Sequence, residues 1–265
     1  MAGLDVREKA ARIVALFRDR RKTDVLPPEL YPADLDEAYA IRAAYEKIEE
    51  AVGRGAVAGY KIAITTKVMQ ELCGIMEPCY GAIFATEVHR GKAVLRAQDY
   101  GRIAIETEIA VRLGEDLPQG GAGGSWRDRV AGAVESCMAA IELIEDLNYD
   151  YKRLDAPAIV AGNCWNAGII IGDPVADWRA LDLAALGARL TINGREIGRG
   201  VGADVMGHPL NALAWLANKR AEHGVPLRRG MVVMTGSVVA TKYPAPGDRC
   251  RVEIDGLGTA ELSLT

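Results

Sequence analysis

The chain has 265 residues, of which 49% are hydrophobic and 26% are charged, and its formal net charge is −4. These values are typical of a folded domain with one sizeable core. The absence of a Lys/Arg-rich run argues against a nucleic-acid partner, and no apolar run approaches the roughly 20 residues that a membrane span needs.

Five cysteines are scattered along the chain without CxxC spacing. This pattern argues against a disulfide framework and against a thiolate zinc site. We interpret the cysteines as small buried side chains in a reducing compartment, and we expect a cytoplasmic protein.

The first 80 residues are predicted to be mainly helical. Helical spacing of apolar residues, with capping residues before and glycines after, predicts three helices. They cover residues 5–20, the segment from Asp34 to Gly53, and the segment from Thr65 or Thr66 to Gly74. A short strand over residues 59–63 precedes the third helix. We interpret residues 1–80 as a helical N-terminal region packed on the main fold.

From about residue 80 the pattern becomes that of strands, and residues 81–265 are predicted to form a mixed-sheet catalytic region. Strands are expected over 103–113, 139–147 and 231–240, with hairpin turns at Asn193-Gly194 and Asp255-Gly256. Helices are expected over 127–138 and from Pro209 to Gly224, and a glycine-rich loop over 120–124. The fold class is therefore α+β, with a mostly antiparallel or mixed sheet that curls or doubles over to bury its apolar faces.

Two acidic side chains lie close together in the strand over 103–113. Because side chains alternate faces along a strand, Glu106 and Glu108 share one face, and Ile105 and Ile109 share the other. Two carboxylates one pleat repeat apart repel each other unless a proton or a cation lies between them. We therefore expect a divalent cation at this pair; solvent-facing glutamates on a one-sided sheet are the alternative.

A third carboxylate is available in the strand over 139–147. If Glu142 lies beside the first pair, three hard oxygen ligands converge, and such a set suits Mg²⁺ or Mn²⁺. Glu145 and Asp146 stay open as alternatives to Glu142. The pattern thus predicts a carboxylate site for one Mg²⁺ or Mn²⁺.

Two further segments carry polar groups in apolar surroundings. Burial of Lys61 within GYKIA would lower the pKa of its amine and make it a usable proton shuttle, whereas a lysine that extends from a strand edge is the alternative. Thr235 and Ser237 flank Gly236 after an apolar strand, where their hydroxyls can donate to a carboxylate; a plain bulge or turn is the alternative. Neither the three histidines nor any glycine-rich segment supports a His-based metal site or a nucleotide site.

Five segments, taken in order, resemble one enzyme family. They are GYKIAITTKVMQELCGI, ETEIAVRLG, AAIELIED, NGREIGRGVGADVMGHPLNALAWLANK and GMVVMTGSVV. From about residue 55 to the C-terminus, the chain resembles the 2-keto-4-pentenoate hydratase / 2-oxo-3-hexenedioate decarboxylase family of the fumarylacetoacetate hydrolase superfamily. The resemblance implies an α+β fold with a rolled mixed β-sheet, and a homo-oligomer.

The resemblance also implies roles for individual residues. It implies Glu106, Glu108 and Glu142 as ligands of the metal and Lys61 as the catalytic lysine. It places Ser237 in a substrate-facing Thr-Gly-Ser loop that begins at Thr235.

Two segments depart from the family pattern near the expected substrate. Glu77-Pro78-Cys79-Tyr80-Gly81 stands where many hydratases have QPDFG, so Cys79 replaces an aspartate. The segment AGNCWN, residues 161–166, stands where the family has an ADNAS-like segment, so Trp165, or its neighbour, replaces a small hydroxyl side chain. We expect Cys79 and Trp165 to contact the substrate and to influence which reaction the site favours.

The resemblance implies a lyase that acts on small unsaturated 2-keto acids. The main hypothesis is a hydratase that adds water to a 2-hydroxypenta-2,4-dienoate-like substrate. A 2-oxo-3-hexenedioate-type decarboxylase and an acylpyruvate-type C–C hydrolase are alternative enzymes. A non-catalytic oligomer partner that keeps the fold is the alternative from a different class.

Overall fold

A computed structural model of the chain describes residues 3–20, 22–23, 25–117 and 126–265. The predicted loop over residues 120–124 lies outside these ranges. The helices within them are α1 (Val6–Arg18), α2 (Leu35–Ala51), α3 (Lys67–Leu72), α4 (Trp126–Ala133), α5 (Ala156–Ala161) and α6 (Pro209–Glu222). The strands are β1 (Val57–Ala63), β2 (Cys79–Phe84), β3 (Val88–Arg90), β4 (Lys92–Leu95), β5 (Ile103–Leu113), β6 (Val134–Glu145), β7 (Asn166–Ile171), β8 (Gly187–Ile192), β9 (Arg195–Val201), β10 (Val232–Lys242), β11 (Arg249–Ile254) and β12 (Gly258–Leu264).

Helix starts follow the capping residues of the sequence. The side chain of Asp34 accepts a hydrogen bond from the backbone of Glu37 at the start of α2, and Thr66 does the same for Met69 in α3. His208 caps α6, where its Nδ1 accepts from the Leu210 N–H at 3.0 Å. Each cap satisfies a backbone donor that the first helical turn leaves free. The predicted starts at Asp34, at Thr65 or Thr66, and at Pro209 are confirmed.

The strands form two mixed sheets. The larger sheet has seven strands in the order β2-β1-β10-β5-β6-β7-β3, and the smaller has five in the order β4-β12-β11-β8-β9. Three pairs are parallel, namely β1 with β10, β3 with β7, and β4 with β12, and the other pairs are antiparallel. Both predicted hairpins are present, β8–β9 around Asn193-Gly194 and β11–β12 around Asp255-Gly256.

The seven-stranded sheet rolls up until its two sides meet. β2 contacts β7 directly, although the two strands lie near opposite edges of the sheet. Asn163, just before β7, closes this seam, because its side-chain amide exchanges two hydrogen bonds with the Ala82 backbone at 2.7 and 2.9 Å. One face of the rolled sheet holds an apolar cluster that includes Ala110, Met138 and Ala140. The predicted α+β fold with a rolled mixed sheet is confirmed.

One predicted boundary is wrong, and another falls inside a strand. The helix expected over 127–138 ends at Ala133, and β6 begins at Val134, because residues 134–138 pair with β5. Long-range pairing has overridden the local helical pattern there. The division that we predict at residue 80 falls within β2, and β1 from the N-terminal region is the neighbour of β2 in the same sheet.

In the part of the chain that the structure describes, no helix combines the length and the apolar character that crossing a bilayer requires.

Candidate metal centre and substrate cavity

Three glutamates converge because of the register between β5 and β6. Glu106 lies directly opposite Glu142 in this antiparallel pair, and Glu108 lies one pleat repeat further along β5. One carboxylate oxygen from each of the three lies within 4.8 Å of the others. Glu108 and Glu142 are fully buried, whereas Glu106 is partly exposed. Strand alternation therefore places all three carboxylates on one face, as predicted.

Neighbouring strands fix the orientation of the first two carboxylates. Glu108 Oε2 accepts a hydrogen bond from the Gly236 N–H at 2.8 Å, and Glu106 Oε1 accepts one from the Thr241 hydroxyl. Both donors belong to β10, which pairs with β5. Hydrogen bonds of this kind hold a carboxylate in one orientation before any ligand binds.

Glu142 is held from two other directions. Its Oε1 accepts from Asn166 Nδ2 at 3.0 Å and lies 3.1 Å from the Lys61 ammonium nitrogen. Asn166 is the first residue of β7, and Lys61 lies in β1. The rolled sheet thus brings side chains from five strands to one centre.

The carboxylates keep free oxygens at this centre. Glu108 Oε1 and Glu142 Oε2 are buried and have no hydrogen-bond partner among the described residues. Burial raises the pKa of Glu108 well above its ordinary value, and the charges of Glu142 and Glu106 raise it further. Burial also raises the pKa of Glu142, although Lys61 acts in the opposite direction. Unpartnered buried oxygens on crowded carboxylates are what a divalent cation would satisfy, so the site fits Mg²⁺ or Mn²⁺.

The expected lowering of the Lys61 pKa is wrong. Lys61 is buried, and burial alone lowers the pKa of its amine, but the negative charges of Glu142 and Glu106 outweigh this effect and raise the pKa. The prediction considered the apolar neighbours of Lys61 along the chain and not the carboxylates across the sheet. Lys61 is therefore an ammonium group beside the carboxylates in the metal-free protein.

The two alternative carboxylates have other roles. Glu145 accepts hydrogen bonds from the Gly101 and Arg102 backbone N–H groups at 2.6 and 3.0 Å. Asp146 binds the Arg102 guanidinium, with 2.7 Å between Nε and Oδ1. Both carboxylates stabilise the chain before β5, and Glu142 is the third member of the cluster.

A cavity of about 460 Å³ opens onto this cluster. Its polar lining consists of Lys61, Thr65, Thr66, Glu106, Asp204, Ser237 and Thr241. Its large apolar and aromatic lining residues include Ile62, Ile64, Met69, Ile144, Tyr151, Leu154, Ile159 and Trp165. A mostly apolar cavity with charged groups at one place is typical of a small-molecule site.

The four predicted substrate-contact residues occupy two positions relative to this cavity. Ser237 and Trp165 line it. Thr235 is fully buried behind the lining, and its hydroxyl donates to the Ile109 carbonyl at 2.8 Å. Cys79 is also fully buried, and its thiol sulfur lies 3.6 Å from that of Cys164, which lines the cavity.

Sequence reasoning missed three groups at the centre. They are the side chains of Asn166 and Thr241 and the backbone N–H of Gly236. Strand alternation onward from Ser237 points to Thr241, so this residue could have been found. Asn166 could not have been found in this way, because it reaches Glu142 only through the pairing of β6 with β7.

Comparison with known proteins agrees with the site geometry. Residues 42–265 match the model of the fumarylacetoacetate (FAA) hydrolase C-terminal family. The chain belongs to the fumarylacetoacetate hydrolase family. The matched range includes Lys61 and the three glutamates of the carboxylate cluster.

Relatives of this family member include both hydratases and decarboxylases. The chain is 32% identical over 262 residues to 2-hydroxyhexa-2,4-dienoate hydratase from Comamonas testosteroni, which covers 98% of this chain and 97% of the relative. It is 33% identical over 232 residues to 4-oxalocrotonate decarboxylase from Pseudomonas putida, with 88% and 85% covered. These matches support a lyase and leave two reaction types to distinguish.

A solved structure of the same family has nearly the same fold. It is 4-oxalocrotonate decarboxylase from Pseudomonas putida G7 in complex with magnesium and adipate. The TM-score is 0.90 at 26% sequence identity, with 98% of this chain and 97% of that chain covered. The magnesium in that complex agrees with a divalent cation as the cofactor of this family member.

Proposed function

We propose that the chain is a divalent-cation-dependent hydratase that adds water to a small unsaturated 2-keto acid of the 2-hydroxypenta-2,4-dienoate type. The observation that carries this proposal is the cluster of Glu106, Glu108 and Glu142 beside Lys61 at one cavity. The relatives that act on such dienoates by hydration support it.

The carboxylates would hold the cation, and the other residues would act on the substrate. A bound Mg²⁺ or Mn²⁺ acts as a Lewis acid that stabilises negative charge on the oxygen atoms of a 2-keto acid. The Lys61 ammonium holds a proton within the cavity and can deliver it to the carbon skeleton of the substrate. The Ser237 hydroxyl lines the cavity and donates to the Val239 carbonyl at 2.6 Å; rotation away from that carbonyl would let it donate to the substrate carboxylate.

We assign Thr235 and Cys79 to the support of the lining. Both are fully buried, and each has its polar atom bound to another protein group. Trp165 is assigned to the apolar wall, where its ring packs against the ring of Tyr151 with centroids 6.1 Å apart. This wall excludes water from the hydrocarbon part of the substrate.

The charges around the cavity favour hydration over decarboxylation. Among the described residues that line it, Lys61 is the only cationic side chain, and it is already paired with Glu142. A decarboxylase substrate carries a second carboxylate, and burying an unpaired charge against apolar residues is costly. A short hydrocarbon tail meets Ile144, Leu154 and Ile159 without this cost. Decarboxylation of a 2-oxo-3-hexenedioate is the second candidate, because a decarboxylase relative is 33% identical over 232 residues.

One experiment separates the two reactions. The purified protein with Mg²⁺ is incubated with 2-hydroxypenta-2,4-dienoate and, separately, with 2-oxo-3-hexenedioate. We expect a product one water heavier than the dienoate, detected by mass spectrometry, and no CO₂ from the dienedioate. CO₂ release without hydration would establish the decarboxylase instead. No turnover of either substrate by a metal-loaded protein would support the non-catalytic oligomer partner.

Matched variants connect the activity to the site. Glu108→Gln removes one proposed ligand, whereas Glu135→Gln changes an exposed glutamate of β6 that lies away from the cavity. We expect hydration to be lost in the first variant and kept in the second. Equal activity of both variants would contradict the proposed ligand set.

We also propose that the protein is a homo-oligomer in the cytoplasm. Val68, Leu72 and Met76 at and after α3 are 74%, 50% and 87% exposed, and such a group of apolar side chains is typical of an interface between subunits. The five cysteines are free thiols, as in a reducing compartment. Light scattering during size-exclusion chromatography tests the oligomer, and a monomeric mass would contradict it.

A further inference from the structure

The two segments that depart from the family pattern meet in the structure. Cys79 is the first residue of β2, and Cys164 lies in the turn before β7, 85 residues away in sequence. Their sulfur atoms are 3.6 Å apart. Both side chains are buried, but Cys164 lines the substrate cavity and is therefore within reach of a small solute.

The backbone around the two thiols holds them in this position. Asn163, directly before Cys164, fixes the turn to β2 through its two hydrogen bonds with Ala82. Residues 163–165 all have left-handed backbone angles, with φ of 55°, 49° and 58°. Three successive non-glycine residues in this region are uncommon and require firm support. The sulfur atoms need to approach by about 1.5 Å to reach the length of a disulfide bond.

We propose that Cys79 and Cys164 form a reversible disulfide in the presence of a peroxide, and that this bond switches the site off. The Cys164 thiol loses its proton and the thiolate attacks one oxygen of hydrogen peroxide; the S–O bond forms and the O–O bond breaks, which gives a sulfenic acid and a hydroxide that takes up the proton to become water. The Cys79 thiol then attacks the Cys164 sulfur, the S–S bond forms, and the sulfenic oxygen leaves as a second water. Two thiols are oxidised, and one peroxide is reduced to two waters.

The surroundings favour Cys164 as the thiol that reacts first. Burial raises the pKa of Cys164, but the hydrogen bond with Cys79 and the positive charge of Lys61 outweigh it, and the pKa is lowered. The same hydrogen bond, together with burial, raises the pKa of Cys79. The cavity also gives access to Cys164 and not to Cys79.

The disulfide would disturb the site through the turn that carries it. Cys164 is followed by Trp165, which lines the cavity, and by Asn166, which donates to Glu142. A movement of Cys164 towards β2 therefore shifts both the wall and one support of the carboxylate cluster. Misplacement of catalytic groups by about 1 Å can cost about 10²-fold in rate.

The test uses the full chain with Mg²⁺ bound. The protein is reduced with dithiothreitol, freed of the reductant, and treated with hydrogen peroxide. We expect non-reducing peptide mapping to show a Cys79–Cys164 link and the intact mass to fall by two hydrogens. Hydration should fall by about 10²-fold and return after dithiothreitol is added. Absence of this link, or a linked protein with unchanged turnover, would overturn the proposal.

Serine variants provide the controls. Cys79→Ser and Cys164→Ser, each compared with its own untreated sample, should form no link, and their intact mass should not fall by two hydrogens. Cys250→Ser, in β11, should behave as the wild type. If a serine variant does not fold, mapping of the wild-type protein decides alone. Mapping and mass do not depend on turnover, so failure of the proposed hydratase activity is distinguishable from failure of this proposal.

Discussion

The Glu108→Gln variant is expected to be more stable than the wild type without metal and to gain no stability from Mg²⁺. Glu108 is fully buried in β5; its Oε2 accepts from the Gly236 N–H at 2.8 Å, and its Oε1 has no partner. Glutamine keeps the shape and one accepting oxygen. At a pH above its raised pKa, Glu108 carries a negative charge that faces Glu106 and Glu142 within 4.8 Å, and glutamine removes this charge. Its amide hydrogens can also bind those two carboxylates.

The size of both effects can be worked out from this geometry. An unsatisfied buried polar group costs about 1–3 kcal/mol, and more when it is charged, so the metal-free variant should gain at least about 1 kcal/mol. For a chain of this size, 1 kcal/mol changes Tm by about 2–4 °C. Mg²⁺ at 100 times its Kd stabilises the wild type by about 2.7 kcal/mol, which corresponds to about 5–11 °C. The variant lacks one ligand and should not show this rise.

Differential scanning calorimetry measures the Tm of the wild type and of the variant, each in EDTA and in Mg²⁺. Glu135→Gln is the matched control, because it makes the same chemical change on an exposed side chain. Its surface ion pair with Arg112, at 3.5 Å, is worth at most about 1 kcal/mol, and its rise in Tm with Mg²⁺ should equal that of the wild type. An equal rise in Tm with Mg²⁺ for Glu108→Gln and the wild type would refute the ligand assignment. A lower metal-free Tm for the variant would refute the repulsion argument.

Three further predictions concern pH, the lysine and the seam of the sheet. Because burial raises the pKa of Glu108 and Glu142 in the metal-free protein, the contribution of these two groups to stability is fully present below the ordinary pKa of 4.5 and is lost as pH rises through their folded-state values. Urea unfolding in EDTA at a series of pH values checks this, and a rise in stability over that range would contradict it. Lys61→Met should lower kcat by about 10²–10⁴-fold and keep the rise in Tm with Mg²⁺, and undiminished kcat would remove Lys61 from the mechanism. Asn163→Ala removes both hydrogen bonds to Ala82 and should lower the free energy of unfolding by about 2–4 kcal/mol in urea titrations, whereas an unchanged value would show that these bonds do not hold the seam.

Features that depend on neighbouring residues could be predicted from the sequence. The sequence predicts helix starts at Asp34 and Pro209 and a hairpin turn at Asn193-Gly194, because caps and turns depend on a few consecutive residues. Strand alternation also placed Glu106 and Glu108 on one face. The resemblance added Glu142, whose position opposite Glu106 follows from the register of two strands.

Features that depend on distant pairing could not be predicted in this way. The sequence pattern does not show that residues 134–138 extend β6, since this requires β5 as a partner. The direction of the Lys61 pKa shift was wrong for the same reason, because the decisive charges come from β5 and β6. Asn166 and the thiol pair of Cys79 and Cys164 become visible only when the sheet rolls.

The charged groups at the bottom of the cavity (its floor) and the apolar residues around it (its walls) come from different parts of the fold. This difference affects how such sites can diversify. The carboxylates and Lys61 are fixed by main-chain pairing in the middle of long strands, where an insertion or a slip would invert several side chains at once. Tyr151, Leu154, Ile159 and Trp165 come from short helices and turns outside these strands. Segments of this type tolerate exchange. New substrates can therefore be accommodated by changing the walls while the chemistry on the floor stays intact, and grafting of residues 151–165 between relatives is a direct route to altered specificity.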